Sequence, residues 1–94
     1  MTNYEKYENR IPEWTLKSLR NYIESGIPAG GFLESVLSDS LFGAFNKADS
    51  DNREALRDIV MFIYNEAPAD CFGSKEHVSE WVLHGGLKVE VADV

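Results

Sequence analysis

The sequence holds a single cysteine, Cys71, so neither an internal disulfide nor a multi-cysteine zinc site can be built from it. Apolar residues never approach the roughly 18 in a row that a membrane-spanning helix needs. Cations are scarce: nine Lys+Arg stand against 16 Asp+Glu, a net charge of −7. A protein that coats DNA or RNA neutralises phosphates with a basic face, and this balance argues against direct nucleic-acid binding. The opening MTNYEKYENR lacks the basic start and apolar stretch of a signal peptide, so the expected location is the cytoplasm. Gly30-Gly31 is not followed by the Lys-Ser/Thr pair that holds phosphate and magnesium in nucleotide hydrolases. No Gly-x-Ser-x-Gly elbow occurs, which removes support for an α/β-hydrolase site.

What is present suits a small packed domain. Of the 94 residues, 44% are hydrophobic and 12% aromatic, enough for a core and too apolar for wholesale disorder. Charge is unevenly placed. Residues 1–20 carry four cations against three acids, a net of +1, so the other 74 carry −8. Residues 1–10 show no helical period and read as a flexible arm, able to dock through Tyr4 and Tyr7.

Ile11-Pro12-Glu13 has the makings of a helix start, and Leu16, Leu19 and Ile23 then form one apolar stripe that Gly26 and Pro28 end. A second helix is expected over 30–48, because the row Leu33, Leu37, Leu41, Ala44, Ala48 holds its register, with a kink allowed at Asp39. Asp51 with Glu54 fits a capping box for a third helix. The run Ile59-Val60-Met61-Phe62-Ile63-Tyr64 is apolar nearly all round and is expected at the centre of the fold. Ser74 caps a fourth helix that Gly85-Gly86 ends. Leu87–Val94 alternates, and a frayed tail is preferred to an edge strand on a partner chain.

A faint repeat at an offset of 40 pairs Leu16, Leu19, Tyr22 and Ile23 with Leu56, Ile59, Phe62 and Ile63, and Pro28-Ala29 with Pro68-Ala69. Duplication would explain it; shared punctuation of two helical hairpins explains it more simply. The expected fold is all-α. It is a compact four-helix domain of two helix–turn–helix hairpins over 11–86, between an arm at 1–10 and a tail at 87–94.

Few side chains suggest chemistry. Cys71 has the acid Asp70 beside it, which raises a thiol pKa rather than activating it, so a packed bystander is favoured over a nucleophile. His77, Glu80 and His84 share one helix face, but the spacing is not His-Glu-x-x-His, and His84 at a helix end suits the dipole. No metal site and no cofactor are expected. Trp14, Trp81, Phe32, Phe72 and Tyr64 could stack on a base, and core packing is the favoured role for them.

Gly30 and Gly31 let backbone amides approach an anion at a helix N-terminus, and Ser74 marks a second such terminus. Lys47, Arg53 and Arg57 could converge nearby, and Arg53 in a first helical turn opposes the dipole. Those six residues are the candidate ligand site, set against a solvated surface in which Glu54 and Asp58 pair with the arginines.

The segment Tyr22-Ile23-Glu24-Ser25-Gly26-Ile27-Pro28-Ala29-Gly30-Gly31-Phe32-Leu33, then Val36-Leu37-Ser38-Asp39, resembles a small family of uncharacterised proteins of tailed phages and prophages. Ala48-Asp49, Asn52, Tyr64-Asn65, Pro68 and Trp81 extend the likeness across residues 11–83. No activity or site residue comes with that resemblance. It implies an accessory protein acting inside a bacterial cell. The expectation is a non-catalytic, oligomeric binding protein that sequesters a small anionic, nucleotide-type ligand in a counter-defence role. The alternative is an acidic protein that plugs a basic face of a host enzyme, including by DNA mimicry.

Overall fold

In the computed structural model, which describes residues 2–87, helices account for all regular structure. We number the α-helices α1 (Glu13–Ser25), α2 (Gly31–Leu37), α3 (Leu41–Lys47), α4 (Ser50–Glu54), α5 (Leu56–Glu66) and α6 (Lys75–His84). Two 3₁₀ turns, Glu5–Tyr7 and Ala69–Cys71, complete the described chain. The all-α expectation holds. Six helices replace the four expected, because two of the expected rods are broken.

The first break is at Asp39. Its φ of 67° lies in the left-handed region, which Asp tolerates better than most residues. There Ser40 N–H donates to the Ser35 carbonyl at 2.8 Å and Asp39 N–H to Val36 at 3.1 Å. These two bonds close a Schellman motif, so α2 stops instead of kinking. The second break is at Ala55, and the cap lies earlier than expected. Asp49, not Asp51, accepts from Asn52 N–H at 2.8 Å and starts α4.

Within residues 2–10, Tyr4 and Tyr7 dock on the helices, the docking expected of the arm, while most of the segment stays exposed. Tyr7 is buried and meets the Phe62 ring edge-on at a centroid distance of 5.1 Å, while Tyr4 covers the same ring at 5.6 Å. Thr2 Oγ1 donates to the Glu66 carbonyl, tying the segment to the end of α5. Burial, then the Glu24 carboxylate beside it, holds the Tyr4 phenol well above its ordinary pKa.

Leu19, Tyr22 and Ile23 of α1 and Ile59, Phe62 and Ile63 of α5 are buried together in one core. Each such side chain contributes about 1.5–3 kcal/mol of apolar burial. The α5 helix is not enclosed on all sides, however: Val60 and Tyr64 face solvent. Polar bonds fasten α6 to this core. Trp81 Nε1 donates to the Tyr22 carbonyl at 2.9 Å, and Tyr22 Oη donates to the Cys71 carbonyl at 2.7 Å.

The ends of α1 and α6 touch backbone to backbone. A Cβ on Gly86 would lie 2.5 Å from Gly26 N, and one on Gly26 would lie 2.7 Å from Gly85 C. Both glycines also have positive φ, so side chains are doubly excluded there. Ser74 caps α6 as expected, its Oγ accepting from His77 N–H. Of the tail expected over 87–94, only Leu87, which is exposed, lies within the described residues. No helix among the described residues is long and apolar enough to cross a membrane.

Candidate functional site

The fold divides the six expected ligand residues. Gly31 and Lys47 come together: a Cβ on Gly31 would meet Lys47 Cδ at 3.7 Å. The Schellman turn folds α3 back beside α2, and Lys47 Nζ then donates to Ser35 Oγ at 3.2 Å. Arg53 makes a different contact. Its Nε donates to the Phe45 carbonyl at 3.1 Å, and its guanidinium sits 4.8 Å above the Phe45 ring. Arg57 is exposed on α5 and does not join Lys47. Gly30 is exposed, with open space around it. Ser74 spends its hydroxyl on the α6 cap. Of the three expected cations, Lys47 alone lines the groove described next, while Arg53 contacts Phe45 near the end of α3.

What surrounds Gly31 and Lys47 instead is an open groove of about 750 Å³ between the α2–α3 pair and α6. Lys75, from the first turn of α6, lines it together with Lys47. Ser35, Ser38, Ser40 and Ser79 supply hydroxyls, and Pro28, Val78, Val82 and Leu83 supply apolar wall. Glu34 lines it as well. The backbone holds both walls in place, since Gly73 N–H donates to the Leu37 carbonyl at 2.7 Å just before α6. Two ammonium groups, several hydroxyls and an apolar flank can hold a small anion with a flat or apolar body.

Lys75 and the serines were missed by sequence reasoning. The signal for Lys75 was available: a cation in a first helical turn opposes the dipole, the same oddity that drew attention to Arg53. The serines carry no such mark, because a small polar residue beside an apolar row reads as ordinary helix surface.

The other candidates resolve differently. Cys71 is fully buried, and burial, with a smaller push from Asp70, moves its thiol up to about 12. His77, Glu80 and His84 line one shallow cleft with Asp70. His77 Nδ1 sits 2.7 Å from the Phe72 carbonyl and His84 Nδ1 sits 3.1 Å from the Gly86 carbonyl. Among the described residues no three His, Cys, Asp or Glu side chains are grouped to hold a metal ion. Of the aromatics, Trp81 is buried and Phe32 and Phe72 pack at the core edge, as expected. Trp14 and Tyr64 are instead exposed, at 75% and 77%.

No protein-family model, curated protein or solved structure matches the chain.

Proposed function

We propose that the chain is a non-catalytic binding protein that holds a small anionic, nucleotide-type ligand in the Lys47–Lys75 groove. One observation carries this reading: in an acidic chain, the fold places two of nine Lys+Arg side chains on a single serine-lined groove with an apolar flank. Phosphate oxygens would accept from the two ammonium groups and the hydroxyls, while Val78, Val82 and Leu83 cover the body of the ligand. Glu34 would accept from sugar hydroxyls. In the phage setting implied by the sequence resemblance, the ligand would be a nucleotide signal of host defence, and binding it would be sequestration in the bacterial cytoplasm.

Calorimetry with cyclic and linear nucleotides tests this. Binding should weaken roughly tenfold in Lys47→Ala and in Lys75→Ala, as expected for loss of a charge-assisted contact, and stay unchanged in Arg57→Ala. Heat-neutral titrations across the panel would falsify the reading.

A second reading has its own observation. Glu8, Glu13, Asp51, Glu54 and Asp58 surround one open cleft of about 690 Å³, with Arg10 the sole cation lining it. Such a face suits an acidic protein that occupies a basic surface of a host enzyme. It predicts capture of one host protein with steeply salt-dependent affinity, abolished by Asp51→Lys with Glu54→Lys. Capture that ignores both salt and these changes removes it.

A further inference from the structure

The opposite flank of α3 carries a different surface. Leu41, Phe42 and Phe45 of α3 and Val60 and Tyr64 of α5 are all exposed, Phe42 at 87% and Leu41 at 64%. Leu41, Val60 and Tyr64 line an open apolar groove of about 410 Å³, floored by Leu37, Ile63 and Phe72. Together the five residues expose roughly 600 Å² counting backbone and the Tyr64 hydroxyl, about the size of the largest patches on monomers. With a charged rim added, that approaches the roughly 800 Å² that each partner buries in a standard interface.

Charges of both signs flank the groove, Asp39 in its lining and the cations Arg53 and Arg57 outside it. Asp39 lines it at the end where α3 begins. Arg53 is held against Phe45, near the end where α3 finishes, and Arg57 stands one turn along, on the same side of α5 as Val60 and Tyr64. The neighbouring acids Asp51, Glu54 and Asp58 line a different cleft beside residues 8–13. Among the described residues neither Asp39 nor Arg57 is ion-paired. A surface carrying an acid, an apolar middle and cations can match itself when rotated by a two-fold axis.

We propose that this face is an interface between two copies of the chain, packed antiparallel with Asp39 of each copy opposite Arg57 of the other. Phe42, which projects from α3 beside the groove, enters the groove of the second copy. The proposed interface and the Lys47–Lys75 groove share Ser40 in their linings, while Lys47 and Lys75 line only the latter.

Sedimentation velocity of the full chain reads the outcome. At about 100 µM, above the micromolar Kd at the weak end for interfaces of this size, the chain should sediment as a dimer. Tyr64→Asp and Phe42→Asp should each give a monomer with an unchanged circular-dichroism spectrum, since both side chains are exposed. Asp39→Lys and Arg57→Asp should each weaken self-association roughly tenfold or more, because each homodimer then sets like charges opposite one another. Mixing those two variants should restore the dimer, since both cross-pairs become attractive again. A wild-type monomer at that concentration, a dimer that survives Tyr64→Asp, or a mixture that stays monomeric would each overturn the proposal. The first of these outcomes leaves the face to a foreign partner.

Discussion

The junction of α1 and α6 and the stretch from Ser38 to Ala55 are built in opposite ways. At the junction, Tyr22 and Trp81 are buried, each polar atom has a partner, and two glycines bring the backbones into contact. Between Ser38 and Ala55 the helices are only five to seven residues long, and Leu41, Phe42 and Phe45 point outward. Short helices of this kind are marginal by themselves and persist because neighbours hold them. One region spends its apolar side chains on cohesion, the other displays them. The fold thus reads as a frame with a lysine- and serine-lined groove on one flank of α3 and an exposed apolar face on another.

That contrast is open to direct attack. Gly86→Ala should be the most damaging change, since its Cβ meets Gly26 and Ser25 backbone and its φ is 76°. We expect about 3 kcal/mol or more of lost stability, read by urea denaturation, with Gly26→Ala close behind.

Tyr22→Phe comes next. It leaves the buried Cys71 carbonyl without its donor, at about 1–3 kcal/mol near pH 7. The loss should shrink at high pH. Burial first, then the charges of Cys71 and Glu34, raise the folded Tyr22 pKa, and burial raises that of Cys71. The unfolded chain releases these protons near their ordinary 10.0 and 9.0, and the folded chain does so only at higher pH. Wild-type stability is therefore fully present below pH 9 and drains away as pH climbs. A phenylalanine has no such proton to lose, so the gap between variant and wild type should narrow above pH 10. A gap that widens there would contradict the assignment.

Asp49→Ala removes the α4 cap and should cost about 1 kcal/mol. Phe42→Ser should change monomer stability by no more than about 0.5 kcal/mol, because its ring contributes almost nothing to the core. A large loss there would mean that the displayed region is part of the frame.

Much of the frame was legible in the residues. Gly26, Ser74 and Gly85 end or begin helices through their own backbone chemistry, and that information is local. The stripe of α1 identified Leu16, Leu19 and Ile23 as core. Of Leu56, Ile59, Val60 and Ile63, expected as the core stripe of the third helix, Ile59 and Ile63 are buried, Leu56 is half-buried and Val60 is exposed. Three things were not legible. The apolar register runs unbroken through Ser38-Asp39-Ser40, so periodicity hides a helix end that depends on one left-handed residue. The central run of α5 is apolar all round, yet nothing in it says that Val60 and Tyr64 would lack a covering neighbour. The contact of Gly26 with Gly86 joins residues 60 apart, and each glycine had already been accounted for as a helix terminator. The candidate site suffered from the same limit. Lys47 was found and Lys75 was not, because their juxtaposition comes from the packing of α6 against α2, not from spacing along the chain.

The central claim, that the Lys47–Lys75 groove holds the ligand, is met most directly by amide and side-chain chemical shifts recorded while nucleotides are titrated into labelled protein. Shifts should concentrate on Gly31, Ser35, Lys47, Lys75 and Ser79, saturate at one ligand per chain, and leave Arg57 and Ser74 little moved. Saturable shifts centred on Arg53 and Arg57, or none anywhere, would contradict it.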